Sequence, residues 1–288
     1  MGKGEKGDLE KKDEWNGKVS GVNLRFIVPL FTCIMVGSAE FVSTYFDIML
    51  GILIHMIFLF SLMIFSSLIY RESIRTRAYS LRRAWQIEDM SYMLNSLILI
   101  PLIGIIRFSM PLKIFESIYW FIIIGIPLMV AIILLIRYMK MHLQDIGFVS
   151  NFPLIQFFIA LTGILFGFFE YMILKPEALI DELIVMNLII PGFILLIFTG
   201  LLEELTFRGI VQTRAEGVMG KNASLLFSSV LFMLMHIGFK SAPDLIFVFL
   251  VGLFYGYVFQ RTRNIWGITL SHGITNIILF LIAPFFMS

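Results

Sequence analysis

Long uninterrupted apolar runs constrain this chain more than any other feature. Nine segments, at about 24–45, 48–70, 91–108, 115–137, 153–174, 183–207, 223–240, 244–260 and 265–285, approach or reach the ~20 mostly apolar residues needed for a helix to cross a bilayer. The first two are joined tightly near Asp47, so a broken hairpin and eight spans is the alternative count. Backbone groups in hydrocarbon pair internally, and a closed barrel shows alternation rather than continuous apolar runs. The expected fold class is therefore an all-α polytopic membrane bundle of about 8–9 transmembrane helices. Composition agrees: 59% of the 288 residues are hydrophobic, 15% are charged, and the mean hydropathy is +0.92. Soluble domains sit near half apolar and a quarter charged.

The net charge of +2 gives no reason to expect nucleic acid as a partner; membrane lipid is the partner that composition implies. Cys33 is the single cysteine and forms no internal disulfide. Residues 1–20 mix five lysines with five acids and have no apolar core close behind, so they read as a solvated polar tail rather than a signal peptide. Asn222-Ala223-Ser224 fits a glycosylation sequon, but Asn222 reads better as a helix N-cap.

Basic residues divide unevenly between the connections. Arg71, Arg75, Arg77, Arg82 and Arg83 crowd the second; Arg137 and Lys140 follow the fourth span, Arg208, Arg214 and Lys221 the sixth, Arg261 and Arg263 the eighth. With nine spans these fall on one side, together with the N-terminal lysines. The opposite connections hold only Arg107, Lys113, Lys175 and Lys240. The basic side is expected to be cytosolic.

Ionisable groups inside spans are costly and each asks for a reason. They concentrate in the last third. Glu204 and Arg208 are i,i+4 neighbours and can pair on one helix face. Glu203 points away from that arginine, which leaves a desolvated carboxylate beside a like charge, the setting of a general base. Glu203 lies about 16 residues before the Gly217–Lys221 turn and His236 about 17 after it. At about 1.5 Å per residue an antiparallel hairpin brings them level, provided one helix runs unbroken from about 185 to 214. His272 and Asn276 are i,i+4 and present donors to one point, which suits an oxyanion; as isolated residues they read equally as polar glue between helices. Gly252 and Gly256 form a small-xxx-small packing motif. His55 reads as hydrogen-bonded within the bundle, and Glu40 and Glu170 have no partner that the sequence can place.

The ordered set Glu203-Glu204-x-x-x-Arg208, Phe232-x-x-x-His236 and His272-x-x-x-Asn276 resembles the three signature motifs of the CPBP (CAAX protease and Abi) family, over about residues 185–285. The resemblance implies an intramembrane endopeptidase of the type II CAAX prenyl endopeptidase kind. In it Glu203 and His236 activate a water, His272 and Asn276 stabilise the oxyanion, and Glu204 and Arg208 support the first helix. It further implies a conical cavity open to the cytosol and a membrane-embedded, often prenylated, protein or peptide substrate. No cofactor is expected. The rival is zinc held by Glu203, His236 and His272, a common ligand set, although HExxH is absent and asparagine is a poor zinc ligand. The chain divides on this reading into a tail (1–22), N-terminal helices of unassigned role (23–182) and a catalytic core (183–288). A transporter should show paired broken helices or an internal repeat, which the sequence lacks; a non-catalytic scaffold or immunity protein remains the other alternative.

Overall fold

The computed structural model describes residues 24–110 and 114–287, and the polar tail lies outside them. The described residues are helical with no strand. Eight helices are long and apolar enough to span a membrane: α1 (Leu24–Tyr45), α2 (Ile48–Arg77), α3 (Leu81–Ser109), α4 (Ser117–Tyr138), α5 (Pro153–Leu174), α6 (Val185–Met219), α7 (Lys221–Phe239) and α8 (Ala242–Thr262). A shorter apolar helix, α9 (Trp266–Ile282), completes the bundle. The chain is an integral, multi-pass membrane protein. Phe60, Phe65, Leu134, Phe157 and Phe158 lie exposed on the outer helices, where lipid is the solvent such side chains require.

The connections put the helix ends at two faces. One face gathers the arginine-rich turns: α2–α3, α4–α5, α6–α7 and α8–α9. The other gathers α1–α2, α3–α4, α5–α6, α7–α8 and the end of α9. Asp47 caps α2 by accepting from the Leu50 amide at 2.7 Å, and this sharp turn makes two separate spans of the first apolar hairpin.

Close helix approach builds the interior. Gly163 of α5 meets the Ser271 carbonyl of α9, and one turn on Gly167 meets the Thr275 carbonyl. The two helices therefore run parallel in tight contact. Gly252 and Gly256 let α8 approach α6 and α7. A Cβ on Gly256 would sit 2.5 Å from Leu225 and 2.7 Å from Gln212, whereas one on Gly252 would make ordinary contacts at 3.4 Å. The carbonyls exposed by this stripe accept hydrogen bonds from Arg208 (3.2 Å) and Gln212 (3.0 Å). The motif packs helices and also provides acceptors for buried donors.

α6 is continuous through Glu203, as the level-hairpin expectation demands. It is not regular, however. Leu196–Leu201 and Leu205–Gln212 are π-helical and flank the three α-helical residues Leu202–Glu204. π-turns concentrate at functional sites because the extra residue re-aims the side chains around it. Two other expectations change. The N-cap of α7 is Gly220 (φ 80°), not Asn222, which falls inside the first turn. The regular α-helix of α7 ends at Leu234, so His236 sits in the turn that follows.

Candidate active site

Glu204, Arg208 and His272 form a buried polar cluster. Glu204 and Arg208 are fully buried, and Arg208 donates to Glu204 Oε1 at 2.9 Å, the pair that their spacing predicts. The same oxygen bonds His272 Nδ1 at 2.8 Å. The guanidinium lies 4.4 Å from the Phe232 ring centroid and 5.6 Å from that of Tyr255. Tyr255 also stacks on the His272 ring at 6.0 Å, and its hydroxyl meets Ser271 at 2.9 Å. Glu204 is thus more than a brace for its own helix, since it holds the imidazole of α9 against α6.

Glu203 is different. Its side chain is 27% exposed, and His272 Nε2 stands 3.8 Å from its Oε2. That gap is too long for a direct hydrogen bond and is of the kind a water closes. His236 enters from the end of α7. Its Nδ1 bonds the Phe232 carbonyl at 2.8 Å, and its ring stacks on Phe239. A carbonyl only accepts, so Nδ1 carries the hydrogen and a neutral ring leaves Nε2 as a free lone pair. Asn276 Nδ2 donates to Thr199 Oγ1 at 2.8 Å, while the Thr199 hydroxyl is turned to the Leu195 carbonyl. One amide hydrogen of Asn276 is committed in this way, and the second is not.

Glu203, His236, His272 and Asn276 line one cavity of about 330 Å³. The imidazole beside Glu203 is that of His272, with His236 across the same cavity. The cavity also takes residues that the sequence did not mark as functional. Thr199 belongs to the π-helical stretch before Glu203, and Glu170 comes from α5, largely buried and facing the cavity. Ser117, Trp120 and Phe121 come from α4. Helices α4 and α5, which precede residue 183, therefore contribute to the wall of the site.

A second group lies behind His236. Glu40, fully buried in α1, pairs with Arg107 of α3 and has His55 Nε2 at 3.3 Å. Arg107 also donates to the Met235 carbonyl at 3.0 Å, one residue before His236. Glu40 thus has partners that its sequence context did not reveal, because they come from two other helices.

Among the described residues no group of three or more His, Cys, Asp or Glu side chains is placed to hold a metal ion. Glu203, His236 and His272 share the cavity and are not such a group.

The lining reaches from Tyr255 and His272 to the first turn of α4, the last turn of α5, Leu179 in the α5–α6 connection, and Phe239 at the end of α7.

Fold and site together define a class: a polytopic α-helical membrane protein with carboxylate, imidazole and amide groups gathered in an intramembrane cavity. The model of the Rce1-like family, type II CAAX prenyl endopeptidase, matches residues 185–278, the stretch from α6 into α9. The match supports a CAAX-protease type of intramembrane endopeptidase. No curated protein and no solved structure matches the chain. Helices α1 to α5 lie outside the family match.

Proposed function

We propose that the chain hydrolyses a peptide bond in a membrane-embedded segment by direct attack of an activated water, without a metal. Glu203 takes one proton from the water, and His236 Nε2 accepts the hydrogen bond of the other, fixing the direction of attack. As the carbonyl oxygen gains charge it receives hydrogen bonds from His272 Nε2–H and the free amide hydrogen of Asn276. The C–N bond then breaks, and the proton held by Glu203 passes to the leaving nitrogen. Glu204 and Arg208 are supporting groups.

One observation carries this division of roles: the two imidazoles are tied through Nδ1 to different partners. A backbone carbonyl holds His236 with its outer nitrogen as an acceptor, suited to orient water. A carboxylate holds His272, suited to stabilise an imidazolium whose Nε2–H is a charged donor. The apolar walls around these groups, Phe232, Phe247, Val251 and Phe280, suit an apolar segment, of which a prenylated CAAX-type C-terminus is the family's form. The arginine-rich turns and the N-terminus are proposed to face the cytosol.

The direct test compares protein termini in membranes carrying the wild-type chain with those carrying Glu203→Ala. Cleaved termini present only with the wild type support hydrolysis; identical sets of termini reject it.

A further inference from the structure

We infer that the cavity holds a subsite for a cation, formed by Glu170 with Asp244 behind it, so that the segment cleaved carries a lysine or arginine side chain close to the scissile bond. The inference rests on the hydrolytic reading above and narrows its substrate class. Three observations carry it.

The first is an imbalance among the buried carboxylates. Among the described residues four are buried: Glu40, Glu170, Glu204 and Asp244. Glu40 has Arg107 and His55 within ion-pairing distance, and Glu204 has Arg208 and His272. Glu170 and Asp244 have no basic partner among the described residues, and both Asp244 oxygens are sealed without a hydrogen-bond donor. Lys240, at the start of the same turn as Asp244, lies over the Tyr45 ring instead, and Lys175 is exposed past the end of α5. A carboxylate in an apolar interior is costly unless it is paired, so one that the protein leaves unpaired inside a bundle calls for a partner from outside it.

The second is where these two carboxylates stand. Glu170, 7% exposed, lines the same cavity as Glu203. Asp244 begins the stripe of α8 that continues at i+4, i+7 and i+11 through Val248, Val251 and Tyr255, and those three line the cavity. The charged groups whose fields reach Glu170 are Asp244 and Glu203, both carboxylates. Asp244 also lies in the first turn of α8, where the Ser241 hydroxyl accepts from its amide at 3.3 Å, and a helix N-terminus favours negative charge. The pair is therefore an acidic end of the cavity with nothing in the protein to neutralise it.

The third is the wall around them. Phe247 of α8 packs at 6.2 Å on Phe166, one turn before Glu170, and Gly167 brings α5 against Ile278 of α9. An ion pair formed against such apolar surroundings is screened far less than one in water. The methylene stem of a lysine or arginine suits the same wall while its charged head reaches the carboxylate. The rest of the segment stays apolar, as Phe232, Val251 and Phe280 around the catalytic groups require.

The test separates binding from cleavage. Farnesylated peptides of leucine and alanine carry a single lysine, norleucine or glutamate, scanned through successive positions. Their dissociation constants are measured in detergent on the full Glu203→Gln chain, which keeps the subsite whatever the reaction. The expected result is one position, or two adjacent ones, at which lysine binds about tenfold tighter than norleucine, the effect of one charge-assisted hydrogen bond, and glutamate binds weakest. Adding Glu170→Gln should bring the lysine-to-norleucine ratio to near one, and adding Asp244→Asn should lower it in part, with melting temperatures reporting the fold. The peptide series itself needs neither variant, so it decides the matter even where one fails to fold. Lysine peptides that bind no better than norleucine peptides at every position overturn the inference, since carboxyls held neutral by protons give lysine no advantage. A lysine preference that survives Glu170→Gln in folded protein overturns it as well. The two proposals fail separately. Lysine-selective binding with no Glu203-dependent cleavage in the wild type removes only the hydrolytic reading, and Glu203-dependent cleavage without lysine selectivity removes only the subsite.

Discussion

Two neighbouring layers of α6 to α9 use the same residue types to opposite ends. In the floor, Glu204, Arg208 and Gln212 are paired with one another, with His272 and with the glycine carbonyls of α8. In the cavity one residue away, Glu203, His236 and Asn276 each keep a polar atom without a partner inside the protein. Groups bonded across helices hold them in register even though Glu204 Oε2, Arg208 Nε and Gln212 Oε1 stay sealed and unpaired, whereas groups that face the cavity can complete themselves with water and substrate. Adjacent glutamates thus acquire different work from the helix face each occupies and from what stands opposite.

Replacement of Glu203 separates the layers most sharply. Glu203→Gln keeps the size of the side chain and removes the base, so cleavage should fall by about 10²–10⁴-fold while the melting temperature in detergent holds. Retained cleavage with loss of folding would exchange the roles of the layers. Arg208→Ala should act in the opposite sense. It leaves Glu204 buried without its cation, at a cost of about 3–5 kcal/mol, and thermal unfolding should come first, with any loss of activity following loss of folded protein. An Arg208→Ala chain as stable as the wild type would show that the floor is not structural.

The glycine stripe offers a finer comparison. Gly256→Ala drives a Cβ into Leu225 and the Gln212 amide and should destabilise by about 1–3 kcal/mol, whereas Gly252→Ala should be the milder of the two. Equal melting temperatures would mean that α8 shifts freely. A smaller effect is expected behind the cavity. Arg107→Ala removes the donor to the Met235 carbonyl and should lower kcat several-fold at unchanged KM through misplacement of His236, with partial recovery in Arg107→Lys. In a His236→Ala background the same change should add nothing, and an additive loss would make Arg107 a structural residue only. The smallest effect concerns metal: activity should persist in strong chelator, and chelator-sensitive cleavage rescued by zinc would replace the proposed mechanism.

The sequence made much of this legible. Apolar runs located nine helices, the Glu204–Arg208 spacing located the ion pair, and the count about the α6–α7 turn put Glu203 and His236 into one cavity. It did not reveal Thr199 or the Glu40–Arg107–His55 group. A threonine in an apolar run carries no signal until Asn276 arrives from another helix, and Glu40 looks unpaired until α2 and α3 pack on it. Nor did it reveal the π-helical turns around Leu202–Glu204, since no local residue pattern announces them.

The sequence by itself determined that this chain lives in lipid, that it is helical, and which side of the bundle is basic. Those follow from hydrophobic transfer and from charges that no bilayer core accommodates cheaply. Only the tertiary structure decided which residues of α4 and α5 join the cavity and which groups from other helices bond Glu204 and Arg208. Both depend on contacts between helices far apart in the chain, where a glycine carbonyl or an imidazole from a distant segment satisfies one carboxylate or cation and leaves its neighbour open.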